Sequence, residues 1–402
     1  MKYDFTSIMD RRGMDAMAVD GPLKGSKGMP MAPKDGFDLI PMWVADMNFP
    51  TVPTVAEAII ERTKHMAYGY FEPRDEYFDS IIHWHKKRNG VKGLTRECIG
   101  YQNGVLGGVV SVLDAFSAPG DAVLLHSPTY VGFTHCISGC GRRIVHSPLK
   151  LDEKGIWRMD YEDMDAKIKE NKIHVAVFCS PHNPCGRVWE KEEIEKAMEV
   201  YRANDCVVIS DEIWSDIILN GNHHIPTQMV NEEAKNRTIA LYAPSKTFNL
   251  AGLIGSYHII YNKYLRERVE AQGSKSHYNS MNVLSMHALI GAYKPEGHEW
   301  VDELRQVLSE NVNYACDFIE KNFPGVQVAK PEGTYMLFID CTEWLKTHEK
   351  TIDELIQAGW DVGVAWQDGR AFHGANAIRI NLALPYVRVK EAFERMKKYV
   401  FC

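Results

Sequence analysis

Cys206-Val207-Val208-Ile209-Ser210-Asp211-Glu212-Ile213-Trp214 and, further along, Thr238-Ile239-Ala240-Leu241-Tyr242-Ala243-Pro244-Ser245-Lys246-Thr247-Phe248-Asn249 decide the fold. Each is a short, nearly unbroken apolar run that ends on residues able to carry chemistry. Such runs read as strands covered on both faces. Ala122–His126, His174–Cys179 and Tyr257–Tyr261 read the same way. Between two of them, Glu190–Asn204 places Ile194, Ala197, Met198 and Tyr201 at three- and four-residue steps, on one helical face. Strands alternating with helices build βαβ units, so the chain is expected to be α/β with a mainly parallel sheet.

The pattern changes beyond about residue 290. A long helical stretch, Glu299 to Lys321, precedes short strands at Tyr335–Ile339 and Ala377–Asn381. Val387–Tyr399 reads as a closing helix, and Pro385-Tyr386 before it offers no side-chain N-cap. The expected division is a large domain over 51–290 and a small α+β domain over 291–402, joined by the N-terminal segment 1–50. A chain of 402 residues is too long for one core and fits two or three domains. The formal charge of -7 speaks against nucleic-acid or anionic membrane surfaces. No apolar run approaches the roughly 18 residues of a membrane span. The N-terminus has no apolar signal region. Nine scattered cysteines without a C-x-x-C pair or a zinc-site spacing are expected to be free thiols in a reducing cytoplasm, with no metal bound.

Four motifs fall at strand ends, where open α/β sheets bind ligands. Lys246 follows a strand, at the lip of a crevice. An isolated lysine is usually solvated, but a partly dry pocket would lower its pKa and let it form an imine. Asp211 closes a buried strand. It is either a helix cap or the partner of a buried cation, because an unpaired acid there is costly. Asn183, in Ser180-Pro181-His182-Asn183-Pro184-Cys185-Gly186, sits in a stretch of turn residues and has an amide to donate. Gln102-Asn103-Gly104-Val105-Leu106-Gly107-Gly108 opens a helix whose free N–H groups suit a phosphate, and it is neither a dinucleotide fingerprint nor a P-loop.

Taken in order with Tyr130 and Arg379, these motifs resemble the fold-type I pyridoxal-phosphate enzymes of the aminotransferase class I/II family over essentially the whole chain. The resemblance implies a seven-stranded large domain with a smaller domain, and pyridoxal 5'-phosphate as cofactor. It implies an imine at Lys246 and a ring-nitrogen partner in Asp211. The Asn183 amide would meet the ring oxygen, Tyr130 would stack on the ring, and Gly104, Val105 and Leu106 would hold the phosphate. Arg379 would clamp the carboxylate of an amino-acid substrate. Tyr70, in Tyr68-Gly69-Tyr70, matches a tyrosine that reaches the neighbouring subunit's phosphate, which implies a homodimer with shared sites.

Several positions depart from the usual aminotransferase pattern. Trp214 stands where a tyrosine is common, Ile254 where a basic residue often holds the phosphate, Ala243 where a serine is frequent, and Cys185 replaces a threonine. These departures, with Pro41–Phe49 and Pro331-Glu332-Gly333-Thr334-Tyr335, resemble the cystathionine β-lyase (C–S lyase) branch. That branch implies α,β-elimination: Lys246 removes the α-proton, a thiolate leaves the β-carbon, and pyruvate and ammonia follow. An aminotransferase with the same site is the alternative. A non-catalytic regulator is a third reading, against which the intact set of Lys246, Asp211 and Arg379 counts.

Overall fold

The computed structural model describes residues 1–275 and 279–402 and divides into two compact units. One comprises Thr51–Asn183 and Arg187–Asp302. The other gathers Met1–Pro50, Pro184–Gly186 and Glu303–Cys402.

The first unit is built on a seven-stranded sheet. Its strands are β1 (Ile99–Gln102), β2 (Ala122–Ser127), β3 (Arg143–Pro148), β4 (Val175–Cys179), β5 (Val207–Asp211), β6 (Thr238–Tyr242) and β7 (Ser256–Ile259). They lie in the order β1-β7-β6-β5-β4-β2-β3. From β6 to β3 every pairing is parallel, with Cys179 level with Asp211 and Asp211 level with Leu241. Strand β7 runs antiparallel to both its neighbours. The connection from β6 contains only a one-turn helix and a 3-10 turn, so no crossover helix carries the chain back to the other end of the sheet. Sequence reading counted this strand among the apolar runs but could not give its direction. Strand β1 went unread, because Gly100 interrupts an already short apolar segment.

The core lies between the sheet and α1 (Val105–Phe116). Val109, Val112 and Leu113 of this helix are fully buried, packed with Val123, Leu125, Val175, Val177, Ile209, Ile239 and Leu241. Helix α2 (Val131–Gly139) adds Phe133 and Ile137. Helix α3 (Lys191–Ala203) buries the four residues that its periodicity marked, and a capping box between Glu190 and Glu193 closes its first turn.

In the second unit, β8 (Gln327–Val328), β9 (Met336–Asp340), β10 (Gln367–Asp368) and β11 (Ala377–Asn381) form an antiparallel sheet in the order β8-β9-β11-β10. Ile40–Pro41 pairs in parallel with Val364–Ala365, which brings the N-terminal segment into this unit. The closing helix Tyr386–Tyr399 buries Val389, Ala392, Phe393 and Met396, and Pro385 before it makes no side-chain cap. The long helix Pro295–Asn322 starts four residues before the expected Glu299, with a proline in its first turn, where a missing N–H costs nothing. The division between the units falls inside it, after Asp302. No helix among the described residues is long and apolar enough to cross a membrane. All nine cysteines are free of disulfides.

Candidate active site

Adjacent parallel strands deliver their C-terminal ends to the same edge of the sheet, and the first unit assembles its chemistry there. Asp211 is the last residue of β5 and is buried. The Ile213 N–H donates to its Oδ1 at 3.0 Å. Burial pushes its pKa up to about 7, against the pull of that amide and of the Lys246 charge, and Glu212 adds a further push. Asp211 is therefore a carboxyl that keeps its proton near neutrality for want of a close cation.

Lys246 lies on the one-turn helix Pro244–Thr247, directly after β6, and is half-buried. Its Nζ stands 5.8 Å from the centre of the Trp214 ring, within range of a cation–π attraction. Asn183 ends the segment after β4 and is buried. The ring of Tyr130, at the entry to α2, is half-buried and makes an edge contact with Phe133 at 5.5 Å. A Cβ on Gly132 would fall 2.4 Å from that ring and 2.8 Å from the Leu106 side chain, so Tyr130 borders the start of α1.

That start is built to leave donors open. Gly104 caps α1 with φ +79° and has no side chain to satisfy the first amides. The first helical bond runs from the Gly108 N–H to the Gly104 carbonyl at 3.0 Å, so the N–H groups of Val105, Leu106 and Gly107 precede it. Asn279 fixes the approach. It accepts from the Asn103 N–H at 3.1 Å and donates to Gln102 Oε1 at 3.1 Å. Ile254 adopts left-handed backbone at φ +48° beside Gly104, a costly conformation for a β-branched residue. Tyr70 is fully exposed and lines a pocket of about 710 Å³ with Phe71, Tyr101, Asn279 and Met281.

Arg379 belongs to the other unit, in β11. It is buried over the Phe372 ring at 4.2 Å and donates to the Trp43 carbonyl at 3.1 Å and to Gln367 Oε1 at 2.5 Å. Asp46, which the sequence left without a role, pairs with Arg11 at 2.6 Å. Asn381 holds the same N-terminal segment through the Val44 and Asp46 carbonyls, at 2.8 and 2.6 Å.

Sequence reasoning missed the acids that follow Asp211. Glu212 is fully buried and accepts from Tyr242 at 2.7 Å, His224 at 2.8 Å, Ser210 at 2.9 Å and the Thr227 N–H at 3.0 Å. Burial alone would raise its pKa, but these donors outweigh it and hold the carboxyl below its usual range. Asp216 accepts from Trp84 and Thr247. Two further acids within five residues of Asp211 were the available signal. Asn279 lies too far along the chain to have given one.

The family model of aminotransferase class I and II matches residues 38–396. The chain belongs to that family. Among its members, cystathionine beta-lyase PatB of Bacillus subtilis is 31% identical over 90% of this chain and 92% of its own. A PLP-bound C-S lyase from Staphylococcus hominis superposes with a TM-score of 0.87 at 31% identity, over 98% of both chains. A PLP-bound putative aminotransferase from Clostridium difficile gives 0.89 at 32%, over 98% of this chain and 99% of its own. The fold is that of fold-type I family members. The groups at the sheet edge fit a pyridoxal phosphate: a buried carboxyl short of a cation suits a ring N–H⁺, and open amides at a glycine cap suit a phosphate.

Proposed function

We propose that this chain is a pyridoxal-phosphate-dependent carbon–sulfur lyase that cleaves β-thioether L-amino acids such as cystathionine to a thiol, pyruvate and ammonia. The observation that carries the chemistry is the placing of Lys246 and the buried Asp211 at the ends of neighbouring parallel strands. The likeness to a cystathionine β-lyase over nine-tenths of the chain carries the reaction type.

The residues divide the work. Gly104, Val105 and Leu106 hold the phosphate with main-chain N–H groups. Asp211 keeps a proton on the ring nitrogen, Asn183 donates to the ring oxygen, and Tyr130 covers the ring face. When bound, the cofactor would supply an electrophilic carbon for the substrate amine and a ring able to store an electron pair. Arg379 fixes the substrate carboxylate. The Lys246 amine removes the α-proton and passes a proton to the departing sulfur. The net reaction consumes one water and needs no second substrate. A homodimer is part of the reading, because the exposed Tyr70 is otherwise an aromatic without a function. The nine free thiols suit a reducing cytoplasm.

The test is incubation of purified protein with L-cystathionine and no keto acid. Pyruvate and a thiol are expected in equal amounts. Pyruvate that appears only with an added keto-acid acceptor overturns the lyase reading. It would favour transamination, which the likeness to the putative aminotransferase also fits.

A further inference from the structure

We propose that Asp216 is a positioning residue for Lys246, acting through the hydroxyl of Thr247. The inference rests on the reading of Lys246 as the cofactor-bearing lysine.

Lys246 stands on a single helical turn. Its backbone is held by the Phe248 N–H on the Pro244 carbonyl at 2.8 Å and by the Leu250 N–H on the Ser245 carbonyl at 3.1 Å. One turn of helix does not sustain itself, because nucleation costs more than its few bonds return. The direction of the lysine is therefore set by what the next residues grip. Phe248 is buried among Trp300 (5.5 Å between ring centres), Trp84 (5.6 Å) and Tyr293 (6.2 Å). That contact anchors the turn, but apolar burial is non-directional. A directional side-chain bond runs from the Thr247 hydroxyl to Asp216 Oδ2, at 3.0 Å between buried groups.

Asp216 is itself immobilised. Trp84 Nε1–H donates to both its oxygens at 3.2 Å, and Arg88 Nε lies 4.0 Å away with its guanidinium also held by Asp302 at 2.7 Å. A carboxylate this dry is expensive to keep, and an apolar side chain would fill the space more cheaply. What the carboxylate adds is a fixed acceptor beside the lysine. Two residues earlier in the same segment, the Trp214 ring faces Lys246 Nζ. One short stretch, Trp214–Asp216, thus faces the lysine's Nζ at one end and bonds its chain neighbour Thr247 at the other.

The experiment compares Thr247→Val, Thr247→Ser and the unaltered protein, each loaded with pyridoxal phosphate. Valine keeps the shape, removes the donor, and leaves Asp216 its bonds from Trp84. The expected result is a kcat for pyruvate release from L-cystathionine lowered between about 10- and 100-fold, with KM within about 2-fold, as for a misplaced reacting group. The visible absorption band of the bound cofactor should change in position or intensity. Serine should restore both. A contact that merely supports the fold would lower the melting temperature of Thr247→Val and leave kcat and the band unchanged, and that result overturns the inference. Should the unaltered protein release no pyruvate, the lyase reading falls while the band still decides between the two outcomes for Thr247.

Discussion

Replacing Asp211 by asparagine should make the cofactor-free protein more stable at pH 8 and leave it unchanged at pH 4. In the unfolded chain this carboxyl ionises near 3.8; in the fold, burial moves it to about 7. Between those values the unfolded state binds fewer protons than the folded one, so stability falls as pH rises. Each pH unit in that window costs about 1.4 kcal/mol, and the window of about three units therefore costs roughly 4 kcal/mol by pH 8. Asparagine carries no charge and loses nothing across the same range, while its Oδ1 can still accept from the Ile213 N–H. Urea unfolding of both proteins, stripped of cofactor with hydroxylamine and measured from pH 4 to pH 8, should give curves that coincide at the acid end. They should diverge toward several kcal/mol at the alkaline end. Adding pyridoxal phosphate at pH 8 should reverse the order, because a ring N–H⁺ then gives the aspartate the cation it lacks. Parallel pH profiles for the two proteins would refute the argument that burial keeps this carboxyl protonated.

Lys246→Ala should abolish the cofactor linkage that borohydride fixes and all turnover; peptide mapping that finds cofactor on another lysine would move the site. Arg379→Ala should reduce kcat/KM for L-cystathionine about 100-fold or more, since a desolvated bidentate pair contributes a few kcal/mol, and an unchanged value would place the carboxylate clamp elsewhere. Gly186→Ala should destabilise the protein by about 2–5 kcal/mol in urea unfolding. The glycine sits at φ +68°, and an added Cβ would fall 2.3 Å from Pro331 Cβ and 2.9 Å from the Gly333 carbonyl oxygen.

The fold was legible wherever one local pattern sufficed. Strand β6 was read to the residue, and the four buried apolar positions of α3 were all named, because continuous burial and helical periodicity are written in neighbouring side chains. Strand direction is not written there. The antiparallel course of β7 follows from the short path out of the Lys246 turn, and the pairing of β1 follows from β7. At the site, the motif residues stood out because strand ends in such sheets carry ligand groups. Glu212, Asp216 and Asn279 did not, because their meaning lies in partners such as Tyr242, Trp84 and Asn103, from distant stretches of the sequence. Lys246 and Asp211 were marked by their strand-end motifs together with the resemblance those motifs carry; the groups that steady them were not.

Strand β1 has one neighbour in the sheet, β7, and that fact orders events on the ribosome. Strands β2 to β6 can assemble progressively as they emerge, each beside strands already made. Residues 99–102 must wait until Ile259 has left the exit tunnel before their ladder in the sheet can be completed. The turn at Gln102–Gly104 waits longer still, for Asn279 to arrive and clasp it. The early part of the chain that opens toward the cofactor is thus among the last to be set, and a nascent chain halted before residue 256 would carry most of its sheet without a finished place for the phosphate.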